Sequence, residues 1–122
     1  MLYNELPIIL ALLFIKHFLV DFVFQTNEHV KHKGTYGNLK GIEHSIQHAV
    51  GTALMLIPFV GFEIAALIGL IDGVIHYHID WAKMSINRIW HYTVEQSQFW
   101  MWLGADQLLH SLTYVWIVWL LF

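Results

Sequence analysis

Four apolar stretches, each broken by one pair of histidine or aspartate side chains spaced i, i+4, govern what this sequence can fold into. The pairs are His17/Asp21, His44/His48, His76/Asp80 and Asp106/His110. Residues four apart on an α-helix share a face, one turn apart. Each stretch therefore reads as an apolar helix with a single polar stripe. The stretches cover about residues 6–24, 40–60, 63–81 and 99–122. A helix that crosses hydrocarbon needs about 20 mainly apolar residues, and all four qualify. Hydrophobic residues make up 57% of the chain and charged residues only 12%, too few to clothe a small soluble domain. The expectation is an all-α fold: one integral membrane domain over residues 1–122, built as a four-helix transmembrane bundle. The net charge of −3 offers no basic field for nucleic acid. With no cysteine, thiolate metal sites and cysteine nucleophiles are excluded.

Punctuation and charge give the predicted layout. Pro7 suits a first helical turn, where a missing N–H is harmless, and Pro58 with Gly61 closes the second helix into a tight turn. The start, MLYNE, has no positive charge and does not read as a cleaved signal peptide. Lys31, Lys33 and Lys40 fall in a loop over residues 26–42, and Lys83 and Arg88 in a second over 82–98. The other side carries only Glu5 and Glu63. The positive-inside rule then puts both long loops in the cytoplasm and both termini outside. Trp81, Trp90, Trp100 and Trp102 mark the cytoplasmic interface, and Trp116 and Trp119 the other. Lys16 lies within the first helix, where it either snorkels or pairs with a buried acid.

The eight paired residues fall at one depth, in the cytoplasmic half. They also repeat: Ile15–Phe22 (IKHFLVDF) aligns with Val74–Trp81 (VIHYHIDW), and His44–His48 with Asp106–His110. Two like helical hairpins are implied, with a shared site at their interface. An ionised, unpaired carboxylate at this depth costs about 2.5–3.5 kcal/mol, and the lysines read as too few and too peripheral to neutralise three. One or two divalent transition metals would do so. Imidazole and carboxylate without sulfur suit zinc, iron or manganese, and eight ligands suit two ions better than one. The plainer reading is that these groups only hydrogen-bond between helices. Asp72 and Glu43 are candidate general bases beside the site. Lys83 and Arg88, with Lys31 and Lys33, would ring its opening and attract an anionic headgroup. His78 leaves the stripe, Gln107 adjoins it, and His29, His32 and His91 are expected in solvated loops.

Taken in order, the motifs HxxxDFxxQ (His17, Asp21, Phe22, Gln25), HxxxH (His44, His48), HxxxD (His76, Asp80) and DQxxH (Asp106, Gln107, His110) resemble a family of small polytopic membrane proteins of bacteria and phages, a domain of unknown function. The resemblance implies a bacterial inner membrane and brings no activity with it. More distantly, the helices look like small inner-membrane proteins described as metal-dependent hydrolases. The leading expectation is a metal-dependent hydrolase acting on a lipid or other anionic ester. A di-iron oxidoreductase on acyl chains is one alternative. The other is a non-enzymatic metal or proton pathway, or a metal-stapled subunit of a homo-oligomer or membrane complex.

Overall fold

The computed structural model describes residues 4–122, which form five α-helices and no strand among the described residues. Helix α1 (Leu6–Phe18), with Pro7 in its first turn, continues into a π-helical turn over Leu19–Phe24. A short α2 (Asn27–His32) follows, then α3 (Leu39–Val60), α4 (Phe62–Trp90) and α5 (Ser97–Leu121). Local chemistry sets these ends. The Thr26 hydroxyl accepts from the His29 N–H while His29 Nδ1 accepts from the Thr26 N–H, a reciprocal cap that starts α2. The Asn38 side chain caps α3 through the Lys40 N–H. Gly61, at φ 80, turns α3 directly into α4.

Two connections are shorter than the sequence pattern predicts. Helix α4 runs on to Trp90 instead of ending at Trp81, and closes on His91 in the left-handed conformation at φ 56. No glycine or proline stands between Gly73 and His91 to stop it. The predicted loop over 82–98 is thus largely helix, and the one over 26–42 contains α2 and the first turn of α3.

Helices α1 and α4 each pack against both α3 and α5, which closes the four long helices into a ring. The closest approach is between α3 and α4, where Gly69 and Gly73, one turn apart, lie against Ser45, Ala49 and Ala53. Small residues at such a spacing let two backbones approach until dispersion contacts hold them. At the α3–α4 turn end, Ile9, Leu13, Leu56, Ala65, Ile68, Tyr114 and Ile117 form an apolar core. Toward the other end the interior becomes polar. Among the described residues fifteen buried side chains are polar or charged and eight are apolar. The outward faces are the reverse: Ile8, Phe18, Leu54, Leu67, Leu112 and Trp119 are all more than half exposed. Two helical segments, Leu6–Phe24 and Phe62–Trp90, are long and apolar enough to cross a membrane. In α3 and α5 the polar stripes dilute the apolar content.

A Cβ at Gly69 would collide with the Ala49 carbonyl and Ala53, whereas one at Gly104 meets nothing within 4 Å. Gly69→Val should therefore destabilise the protein by about 1–3 kcal/mol, read as a lowered unfolding midpoint in detergent. Gly104→Ala should leave the midpoint unchanged or raise it.

Candidate metal centre

All four sequence pairs point into the ring, and their polar atoms converge. The π-helical turn presents Asp21, whose Oδ1 accepts from His44 Nε2 at 2.9 Å and His48 Nε2 at 2.8 Å. His76 Nε2 is 3.5 Å from the same oxygen, and His17 Nε2 is 3.2 Å from Asp21 Oδ2. On α4, Asp80 reaches both ways: Oδ2 lies 3.2 Å from His76 Nε2 and 3.5 Å from His44 Nε2, and Oδ1 lies 3.4 Å from His110 Nε2. Asp106 Oδ1 is 3.5 Å from His110 Nε2. The ring of His76 stacks between His48 and His110, with centroids 3.4 and 4.0 Å away.

Two overlapping groups could hold a metal ion: Asp21, His44, His48 and His76, and His76, Asp80 and His110, with the ligand atoms of each within 4.8 Å of one another. His17 and Asp106 flank them. Ligand atoms about 2.0–2.2 Å from a tetrahedral ion stand about 3.3–3.6 Å apart, close to these separations. The misdirected atoms say more. His76 Nε2 and Asp106 Oδ1 are buried with no hydrogen-bond partner, despite oppositely polarised neighbours at 3.2–3.5 Å, and Asp80 Oδ2 is held only by its ion pair with Lys33 at 3.2 Å. Buried polar atoms seldom stay unpaired, and a cation among these groups would satisfy them. The donor set, imidazole and carboxylate, fits such an ion.

A second polar layer lies between this centre and the apolar core. The Lys16 ammonium donates to Asp72 Oδ2 at 3.0 Å and to the Tyr114 hydroxyl at 3.0 Å, and stands 3.3 Å from His48 Nδ1. Thr52 donates to the same Asp72 oxygen at 2.6 Å. Tyr114 also holds His17 Nδ1 at 2.9 Å, and Gln107 meets His17 Nε2 at 3.0 Å. Lys16 therefore pairs with an acid and does not snorkel. Asp72 is engaged by that lysine and by Thr52, outside the cluster. Glu43 is half-exposed, bound to Lys40 at 2.8 Å and 3.4 Å from His29.

Three residues depart from their predicted surroundings. Lys33 is 5% exposed and lies 3.2 Å from Asp80 Oδ2, and Lys83 lies 3.4 Å from Asp106 Oδ2. The lysines are thus not peripheral, because α2 folds its C-terminal end inward and α4 continues past Trp81. His29 is buried, not solvated, for the same reason: its own helix cap and the ring of His44 enclose it. Arg88 holds the Gly34 carbonyl at 3.0 Å. The sequence carried one signal for the second layer. Thr52, Asp72 and Tyr114 each extend a ligand stripe by one further turn at i, i+4. Lys33 had none beyond its pairing with His29 on a short helix.

A family model described as a protein of unknown function (DUF3307) matches residues 9–122. The chain belongs to the DUF3307 family. The match runs from the apolar core residue Ile9 through the last helix, so it spans every residue of the cluster described above. No curated protein and no solved structure matches the chain.

The buried Lys16–Asp72 pair gives a direct test of the second layer. Lys16→Met leaves a buried carboxylate without its cation and should destabilise by about 3–5 kcal/mol. Adding Asp72→Leu should recover much of that loss, and a double-mutant cycle on unfolding midpoints would measure it. Independent, additive losses would contradict a coupled pair.

Proposed function

We propose that the protein is an integral membrane metalloprotein that holds two divalent transition metals within a four-helix transmembrane bundle and uses them to hydrolyse an anionic ester. The observation that carries this reading is the convergence of five histidine Nε2 atoms and three aspartates, with His76 Nε2 and Asp106 Oδ1 buried there without a hydrogen-bond partner. One ion would lie among Asp21, His44, His48 and His76. The other would lie by Asp80, His110 and Asp106, with Asp80 reaching toward both. Divalent ions here would polarise an ester oxygen and make water nucleophilic at neutral pH. The chain's own groups position them. Tyr114 holds the outer nitrogen of His17, and the apolar core closes the far end of the bundle.

The membrane part of the reading is supported by the inverted distribution of polarity. A polar interior inside an apolar jacket is stable only where the surroundings are apolar too. The basic residues Lys31, Lys33, Lys40, Lys83 and Arg88 all lie at the end beyond the metal centre, which supports a cytoplasmic assignment for that end. The two HxxxD helices, α1 and α4, meet the centre from opposite sides of the ring, as paired hairpins would.

Ligation neutralises buried carboxylates, so metal and stability should be linked. Elemental analysis of the purified protein should find one or two zinc, iron or manganese ions per chain. Chelator should lower its unfolding midpoint; an ion at 100 times its Kd contributes about 2.7 kcal/mol. The double variant Asp21→Asn, Asp80→Asn keeps the shapes and removes two charges. It should lose the metal, and its midpoint should be insensitive to chelator. Full metal content and hydrolytic activity in that variant would refute the site. Iron with an oxygen-sensitive spectrum would instead support oxidoreduction.

Orientation has its own test. Single cysteines placed at Thr35 and Thr93, both exposed, should react with a membrane-impermeant maleimide only after the cells are opened. Labelling of either in intact cells would reverse the topology.

A further inference from the structure

Beyond the centre, on the side away from the apolar core, lies a cavity of about 460 Å³. Lys33, Lys83, Arg88 and Asn87 line it together with the apolar side chains of Val30, Met84, Phe99 and Leu103. Its two lysines are the ones that reach the centre: Lys33 to Asp80 and Lys83 to Asp106. Asn87 Oδ1 is buried there without a hydrogen-bond partner.

Charge decides what this cavity can hold. With neutral histidines, Asp21, Asp80 and Asp106 against Lys33 and Lys83 leave one net negative charge. Two divalent cations would turn that into three net positive charges in a largely buried space. Such an excess cannot stand alone at low dielectric and needs an anion. The anion must reach both lysines and the ion beside Asp80 and Asp106, so it needs several acceptor oxygens spread around one centre. A phosphate monoester dianion has that shape and charge, and Lys and Arg are its usual partners. The apolar wall accommodates a hydrocarbon part carried by the ester oxygen.

We propose that this vestibule is a phosphate-monoester site, filled only when the metal centre is loaded. This deepens the hydrolase reading and rests on it, and names its substrate class. Without metal, Lys33 and Lys83 are satisfied by the carboxylates. With metal, those carboxylates are shared with the cations and the lysines' charge faces the cavity.

The test uses the full chain in detergent micelles with metal content measured on every sample. Inorganic phosphate is the first probe, titrated calorimetrically. Metal-loaded parent should bind it at least tenfold more tightly than chelator-treated protein. Lys33→Met and Lys83→Met should each weaken binding about tenfold at unchanged metal content, and Lys40→Met, on the exposed face of α3, should not. Should either variant lose metal or fold, Lys33→Arg and Lys83→Arg keep the charge and should retain binding. Phosphate affinity that is equal in the loaded parent and in metal-loaded Lys→Met variants would overturn the proposal. So would a loaded parent that does not bind phosphate. A parent that takes up no metal refutes the two-ion reading instead. Phosphatidylcholine vesicles with and without phosphatidic acid, and 4-nitrophenyl phosphate in solution, then distinguish the source. Competition by phosphatidic acid identifies a lipid phosphate, and competition by the soluble ester alone identifies a water-borne one. Failure of both to compete with inorganic phosphate overturns the monoester assignment.

Discussion

Four buried carboxylates in a mostly apolar chain need counter-charge, and much of the architecture follows from how each finds it. Asp72 takes Lys16 from α1 across the ring, Asp80 takes Lys33, and Asp106 takes Lys83. Asp21 is different: among the described residues no lysine or arginine forms an ion pair with it, and four histidine nitrogens surround it. Delivering Lys33 requires the chain to fold back after α1, which is what the Thr26 cap and α2 accomplish. Delivering Lys83 requires α4 to continue past Trp81. Once extended, α4 supplies Arg88 to the Gly34 carbonyl and Met84 as the surface against which Gly34 packs. The segments that close the polar end are therefore built around the two lysines. These pairs leave the centre nearly balanced in charge, with His76 Nε2 and Asp106 Oδ1 still without a hydrogen-bond partner.

The helices and their inward faces were legible because an apolar stretch with an i, i+4 polar pair has few other solutions. The all-α fold and the orientation of all eight paired residues follow from that periodicity. Even the second polar layer was written in the stripes, since Thr52, Asp72 and Tyr114 sit one turn beyond their pairs. What periodicity could not convey was reach. Lysine has four methylenes between backbone and charge, so a residue in an apparent loop can place its ammonium in the interior. Lys33 does so, and burial of His29 beside it follows. Helix length was also hidden: residues 82–90 lack the apolar continuity of a span, yet nothing in them breaks a helix. The Gly69/Gly73 contact was visible as a spacing, but its partner face on α3 is set only by packing.

The repeat of HxxxD in α1 and α4 suggests two equivalent halves, and the backbone makes them unequal. In α4 the motif lies in regular helix, so His76 and Asp80 stay on one face and Asp80 meets His76 itself. In α1 the aspartate falls within the π-helical turn. A π turn holds more residues than an α turn, so four residues no longer complete one revolution. The pair still meets at 3.2 Å, as His76 and Asp80 do, but its further partners differ: His17 bonds to Tyr114 and Gln107 on α5, and Asp21 to His44 and His48 on α3. Asp21 thereby becomes the hub of the group richest in histidine, and Asp80 stays where it can touch both groups and Lys33. The group around Asp21 brings four nitrogen or oxygen atoms together. The group around Asp80 brings three together, and Asp80 is paired with Lys33, which lines the vestibule. In zinc sites, a full donor set is the mark of a structural position and an incomplete one leaves room for substrate. π turns of this kind are frequent at functional sites. Here a π turn in one copy and regular helix in the other give the two copies of the motif different partners.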